Sequence, residues 1–243
     1  MKFHSLQIIV IKKKTIFLII TGIVFIMLTN VCLAALSNRT KVWTVVIDPG
    51  HGGIDPGTSS HNGKIREKDL VLAIGLKIRE KLQVGRINVI LTRDSDTDLS
   101  GMERSGGGRQ RKDLANRVEI AKKNKADILI SLHLNWSNDR NAKGAIMFFQ
   151  KHNSKSKELV NCIQKAFLES GLEIWEPPTS RDLYILRNSP VPAVLIELGF
   201  VSNDEELILL QDEKYQEKLV NAICSGIKEY INTMPLLTFF HLF

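Results

Sequence analysis

The sequence predicts one α/β domain: a mostly parallel central β-sheet flanked by helices on both faces, behind an apolar N-terminal segment. Three observations lead there. From Trp43 onward, short β-branched runs alternate with stretches of helical period. The last strand run, AVLIEL at 193–198, is apolar on both faces and therefore central. No internal repeat divides the chain, and no second domain is evident.

The first 36 residues read as an address. Lys12-Lys13-Lys14 precede TIFLIITGIVFIMLT and then NVCLAAL, a basic start before a long apolar run. The stretch from Thr15 to Thr29 is short for a spanning helix, but continuation through Leu36 reaches the usual length. Cys32 and Ala34 place small residues where a signal peptidase would cut after Ala34, whereas Thr29-Asn30-Val31 before Cys32 make a poor lipoprotein box. The segment is either a cleaved signal peptide or a retained membrane anchor. Both export the working part to the outer face of the cytoplasmic membrane or the wall space beyond it.

Residues 37–42 then form a linker and 43–232 the folded domain. In that domain WTVVID (43–48) is a strand stopped by Pro49-Gly50. Leu70, Ile74, Ile78 and Leu82 repeat every four residues and predict a helix over about 67–83. INVILT (87–92) is the next strand, and Leu114, Val118 and Ala121 mark a helix ending near Lys122-Lys123-Asn124. Between them, Ser95–Arg111 reads as a long polar loop carrying Gly106-Gly107-Gly108; loops of that length are usually functional or disordered. DILISLH (127–133) and GAIMFFQ (144–150) are strands, and Leu159, Cys162, Ile163, Ala166 and Phe167 form a helix stripe closed by Gly171. Tyr184–Leu186 and AVLIEL are strands, and Leu219, Ala222, Ile223, Ile227 and Tyr230 finish the domain as a helix. The apolar tail at 233–243 is too short to span a bilayer and is expected to pack on the domain or fray.

Composition narrows the function classes. With 243 residues, 44% hydrophobic and 24% charged, the chain is long enough for a real core and is not generally disordered. Thirty-three basic against 26 acidic residues give +7, but four lysines lie in the first 36 residues, leaving 29 against 26, or +3. That is no nucleic-acid footprint. Three cysteines, Cys32, Cys162 and Cys224, make neither a disulfide framework nor a thiolate metal site, and the last two fall on apolar helix faces.

In sheets of this kind the chemistry gathers outside the carboxyl ends of the strands. Three strand ends carry suitable side chains: His51 just past WTVVID, His133 at the end of DILISLH, and Glu197 within AVLIEL. Glu67 opens the first helix. Taken singly, His51 is equally a turn residue, His133 a satisfied buried imidazole, and Glu67 a carboxylate favoured at a helix N-terminus. Glu197 is harder to explain that way, because an ionised carboxylate in so apolar a strand costs several kcal/mol unless paired or coordinated. Two imidazoles and one carboxylate on zinc would leave a coordination position open, with the second carboxylate free as a general base. The residues alone do not say which glutamate takes which part.

At these positions the chain resembles the zinc-dependent N-acetylmuramoyl-L-alanine amidases of the Amidase_3 type. The matching phrases are IDPGHGGIDPG (47–57), EKDLVL (67–72), LTRDSDTDL (91–99), ADILISLHLN (126–135) and PAVLIELGFVSN (192–203), in the family's order. The SDTDL stretch, the long loop after it and the leader without a wall-binding module are most similar to the germination-specific enzymes of spore cortex. The resemblance implies that His51, Glu67 and His133 hold one zinc ion and that Glu197 is the catalytic carboxylate. It further implies hydrolysis of the amide between the lactyl group of N-acetylmuramic acid and L-alanine, leading in spore cortex to muramic-δ-lactam. The partner it implies is peptidoglycan strands; the leader adds the membrane, and a zinc held by only two histidines and one carboxylate leaves room for an activating protein partner. Two departures stand out: the loop from Ser100 to Lys112 is longer than the family pattern, and the family's Ala-Asn appears as Ala121-Lys122.

Secondary candidates surround this set. Asn135 either orients a ligand or substrate or caps its strand. Arg93 is expected to pair with a structural carboxylate. Arg104, Arg109 and Arg111 in the long loop are candidates for substrate or partner contact, against a solvated loop. Three rival readings remain: a glycosidase using Glu67 and Glu197, a zinc peptidase acting within stem peptides, and a silent wall-binding protein.

Overall fold

Residues 12–101 and 107–240 are described by a computed structural model, with the side chains of 34–40, 107 and 235–240 left aside. Helix α1 (Lys13–Thr40) contains a stretch, Lys13–Leu33, long and apolar enough to cross a membrane, with mean hydropathy 2.6. The folded domain, Val42–Ile231, follows as its own compact unit.

Its order is β1 (Trp43–Pro49), α2 (Glu67–Leu82), β2 (Ile87–Leu91), α3 (Gly107–Lys123), β3 (Ile128–Asn135), β4 (Ile146–Gln150), α4 (Ser154–Glu169), β5 (Thr179–Arg181), α5 (Tyr184–Arg187), β6 (Ala193–Phe200), α6 (Asp204–Gln211) and α7 (Glu213–Phe240). The six strands form one sheet in the order β2-β1-β3-β6-β4-β5. All neighbours are parallel except β4, which runs antiparallel to β6. The expected α/β architecture is therefore present, with AVLIEL inside the sheet between β3 and β4. Both its faces are covered, so Val194, Ile196 and Leu198 are as buried as Ala193 and Leu195.

Two local expectations give way. Tyr184–Leu186 is a helical turn rather than a strand. Adjacent residues of a strand point to opposite faces, whereas Ile185 and Leu186 both enter the core under α3. Strand β5 lies just before it instead. The long loop is also shorter than expected, because α3 begins at Gly107 and absorbs residues through Arg111. Gly107 and Gly108 are poor helix formers, but that end is secured by a tertiary ion pair, Arg109 with Asp98, and by one within the helix, Asp113 with Arg117. The intervening residues 102–106 lie outside the described part, and so do the tail's side chains beyond Met234. Of the two domain cysteines, Cys224 is buried and Cys162 partly so, as their apolar helix faces imply.

The carboxyl ends of β1 and β3 are held by a buried polar cluster. Arg117, 1% exposed, donates to Asp48 Oδ1 at 2.7 Å and to Asp113 Oδ2 at 2.6 Å. Asp48 also accepts from Thr92 Oγ1 at 2.6 Å and Ser131 Oγ at 2.7 Å, joining β1 to both neighbouring strands. Burial alone would raise the Asp48 pKa, but the Arg117 charge and these hydrogen bonds hold it below the ordinary carboxylate value. A depressed pKa means the contribution is fully present above pH ~4 and is lost as pH falls toward the folded-state value. Arg117→Leu leaves Asp48 buried without its counter-charge and is expected to cost about 3–5 kcal/mol in urea unfolding at pH 7. A loss under about 1 kcal/mol would show that the cluster is dispensable.

Candidate metal centre

The turn after β1 projects His51. Its backbone lies in the left-handed region, φ 59°, which is uncommon for a residue other than glycine and costs of order 1–3 kcal/mol. Two buried arginines hold it there. Arg93 donates to the carbonyls of Pro49 at 2.9 Å and Gly50 at 2.7 Å, and Arg117 to those of Pro49 at 2.8 Å and His51 at 2.6 Å. Arg93 thus bonds carbonyls, those of Ser95 and Lys68 included, rather than the carboxylate expected from the sequence. The turn leaves several carbonyls without a backbone donor, and that explains the difference: the guanidinium fork serves backbone oxygens from three segments at once.

Glu67 stands at the first position of α2, where Arg66 offers no side-chain cap. Its carboxylate, 1% exposed, works as a hub. Oε2 accepts from Thr58 N at 2.8 Å and Thr58 Oγ1 at 3.1 Å, and Oε1 accepts from Leu134 N at 2.9 Å. Oε1 also lies 3.1 Å from His51 Nε2 and 2.9 Å from His133 Nδ1. The two imidazoles meet nearly at right angles, 81°, with ring centres 4.9 Å apart. His51, Glu67 and His133 therefore each offer one ligand atom, all within 4.8 Å of one another.

Glycine is required twice where backbone crowds this trio. A Cβ on Gly50 would lie 2.3 Å from His133 Cε1, and one on Gly57, at φ 67°, 2.5 Å from Glu67 Oε2. The glycines of the two DPG phrases are thus the space the site occupies.

The electrostatics suit a cation. Burial opposes ionisation of Glu67, but hydrogen bonds and charge from His133 and His51 drive its pKa well below the ordinary value. For His51, burial acts downward and is overcome by hydrogen bonds to Asp55 and Glu67, which raise it to about 9. A donor set of two nitrogens and a carboxylate, without sulfur, with positive charge favoured between them, fits zinc.

Glu197 faces this trio from β6, in register with His133 on β3. Parallel neighbours in register present their side chains on the same face. Its Oε2 is buried without a hydrogen-bond partner, and burial, together with the Glu67 charge, raises its pKa against the pull of His133 and His51. A buried carboxyl oxygen left unpaired is unusual and points to use rather than support.

All four principal residues named from the sequence are thus brought to the carboxyl-end side of the sheet, around its interior strands β1, β3 and β6. The secondary candidates fare differently. Asn135 accepts from Trp136 N at 2.8 Å through its side chain and sits at an irregularity between β3 and β6. Arg109 is buried, its guanidinium taken by Asp98 and, at 3.7 Å, by Asp55. Arg104 lies outside the described residues, and Arg111 is exposed on α3. Sequence reasoning missed Asp55, Thr58 and Arg117. The repeated DPG phrase was the available signal for Asp55, since each Asp that opens it meets a charged or ring nitrogen: Asp48 that of Arg117, Asp55 that of His51.

Comparisons with known proteins agree with this geometry. Residues 45–229 match the N-acetylmuramoyl-L-alanine amidase family, Amidase_3. The chain is 36% identical over 189 residues to the germination-specific N-acetylmuramoyl-L-alanine amidase of Bacillus subtilis, covering 76% of this chain and 78% of that protein. It is similar to the CwlD amidase of Clostridioides difficile, solved in complex with the GerS lipoprotein: TM-score 0.74, 39% identity, 77% of this chain and 98% of that one. The catalytic domain of CwlV, an amidase from Bacillus (Paenibacillus) polymyxa var. colistinus, gives TM-score 0.67 at 34% identity, covering 77% and 97%. A family match over most of the folded domain, on a chain whose fold and site are built this way, makes this protein a member of the N-acetylmuramoyl-L-alanine amidase family.

Proposed function

We propose that this amidase works with one zinc ion held by His51, Glu67 and His133, with Glu197 as its proton-transfer group. The bond it cleaves joins the lactyl carbonyl of N-acetylmuramic acid to the amino group of L-alanine, in peptidoglycan of the spore cortex, where that cleavage precedes muramic-δ-lactam formation. The observation that carries the reading is the buried, unpaired Oε2 of Glu197, a residue set in register with His133.

When bound, zinc supplies a Lewis acid that makes water acidic enough to attack near neutral pH and polarises the scissile carbonyl. The chain's own groups do the rest. Glu197 takes a proton from the attacking water and returns it to the alanine nitrogen as the C–N bond breaks, giving a free lactyl carboxylate and a free amine. Its raised pKa suits both steps, because a carboxyl poised nearer the working pH holds the proton between them. Glu67 is committed to two imidazoles and three hydrogen-bond donors. That commitment disfavours a glycosidase, which needs two available carboxyls.

The place of action follows from substrate and leader. Helix α1 is apolar enough to be a signal or an anchor, putting the domain on the outer face of the cytoplasmic membrane or in the cortex space. An activating protein partner belongs to the same proposal, since the clostridial relative was solved with a lipoprotein.

Two experiments test it. Digestion of cortex peptidoglycan is expected to release new alanine amino groups without new reducing sugar ends, to stop with EDTA and to resume with added zinc. Persistence in EDTA, or reducing ends, would contradict the reading. Glu197→Gln is expected to keep zinc and lose turnover by about 10²–10⁴-fold, whereas His133→Ala loses metal and activity together. Loss of metal in Glu197→Gln would mean that the two glutamates have exchanged roles.

A further inference from the structure

Asp55 is absent from the chemistry above, yet it touches His51 on the side away from the other ligands. Its Oδ2 lies 3.0 Å from His51 Nδ1, while His51 Nε2 faces Glu67. The carboxylate is held on both flanks. Oδ1 accepts from Gly57 N at 3.1 Å, and the backbones of Gly52 and Asp55 bond each other in both directions, at 3.0 and 3.1 Å. Beyond it stands Arg109 at the start of α3, 3.7 Å from the same Oδ2 and bound closely to Asp98. Charged groups therefore run in series, Asp98–Arg109–Asp55–His51, from the segment after β2 to a metal ligand.

We propose that Asp55 and Arg109 are positioning residues that set how tightly His51 holds zinc. The inference rests on the zinc reading above and deepens it. An imidazole can ligate through Nε2 only in the tautomer that carries its proton on Nδ1, and a carboxylate accepting that N–H fixes both tautomer and ring orientation. Asp55 lies within reach of that nitrogen, Oδ2 at 3.0 Å, although the ring as it stands does not aim the N–H at it, so a small rotation completes the bond. Arg109 acts one step back. Asp98 offsets its charge, so what reaches Asp55 is mainly a restraint on where Oδ2 points. The buried arginine expected to meet substrate carboxylates is on this account part of the support beneath the metal.

The test is the zinc dissociation constant of the full chain, measured by competition with a chromogenic chelator, beside the melting temperature of the metal-free protein. Asp55→Ala is expected to bind zinc about 10–100-fold more weakly. Asp55→Asn, which keeps size and an acceptor, is expected to fall between it and the unsubstituted chain, and it carries the test if the alanine variant does not fold. Arg109→Met should weaken zinc roughly two- to tenfold in the unsubstituted chain and not at all on the Asp55→Ala background, since contacting residues that act in series are not additive. Unchanged zinc affinity in both Asp55 variants, with only a lowered melting temperature, would show a purely structural role and overturn the inference. An undiminished Arg109→Met effect on the Asp55→Ala background would overturn the series arrangement. If the unsubstituted chain itself failed to take up one zinc, the function proposed above would fall first.

Discussion

Two guanidinium groups buried against the carbonyls of Pro49, Gly50 and His51 hold the turn that presents His51 to Glu67 and His133. A left-handed histidine is not a conformation that a free loop would keep. Here the oxygens it exposes are claimed by Arg93 and Arg117, and Arg117 is itself neutralised by Asp48 and Asp113. Charge is thus carried into the sheet edge in balanced form, and its hydrogen bonds run to backbone rather than to substrate. The same arrangement links α3, which supplies Arg117, to the strand end that supplies His51. A change in α3 far from the ligands reaches the site through it.

Glu67 does for the second half of the centre what the arginines do for the first. One carboxylate accepts from the loop at Thr58 and from β3 at Leu134 while facing both imidazoles. Its position at the first turn of α2 adds the favourable field of the helix terminus. These contacts fix the relative placement of the three side chains, which would lower the cost of ordering them around an ion. Glu197 is the contrast. Strand pairing places it, but among the described residues no donor satisfies its Oε2.

Much of this was legible in the sequence because the strongest signals coincide with the parts that matter. Continuous apolar runs gave the strands, and polar residues at their carboxyl ends gave His51, His133 and Glu197. What escaped notice has physical reasons. Ile185 and Leu186 look like strand residues because a short apolar run carries no period, and only the packing under α3 makes the turn helical. A glycine tract hid the start of α3, since its stability comes from ion pairs with residues ten or more positions away. Arg117 and Asp55 were invisible for the same reason: a charged side chain on a polar stretch reads as solvated until its partner is located. The proposed division of labour between the two glutamates needed the family resemblance; in the structure Glu67 accepts from three donors while Glu197 Oε2 accepts from none among the described residues.

The central claim is that two imidazoles and one carboxylate converge on a single ion, leaving Glu197 off the metal. X-ray absorption at the zinc edge, on the zinc-loaded chain and on Glu197→Gln, tests it most directly. The account requires two imidazole nitrogens and oxygen scatterers at about 2.0–2.2 Å, no sulfur at about 2.3 Å, and the same spectrum for both proteins. A sulfur shell, a single imidazole, or a ligand lost on substituting Glu197 would contradict it.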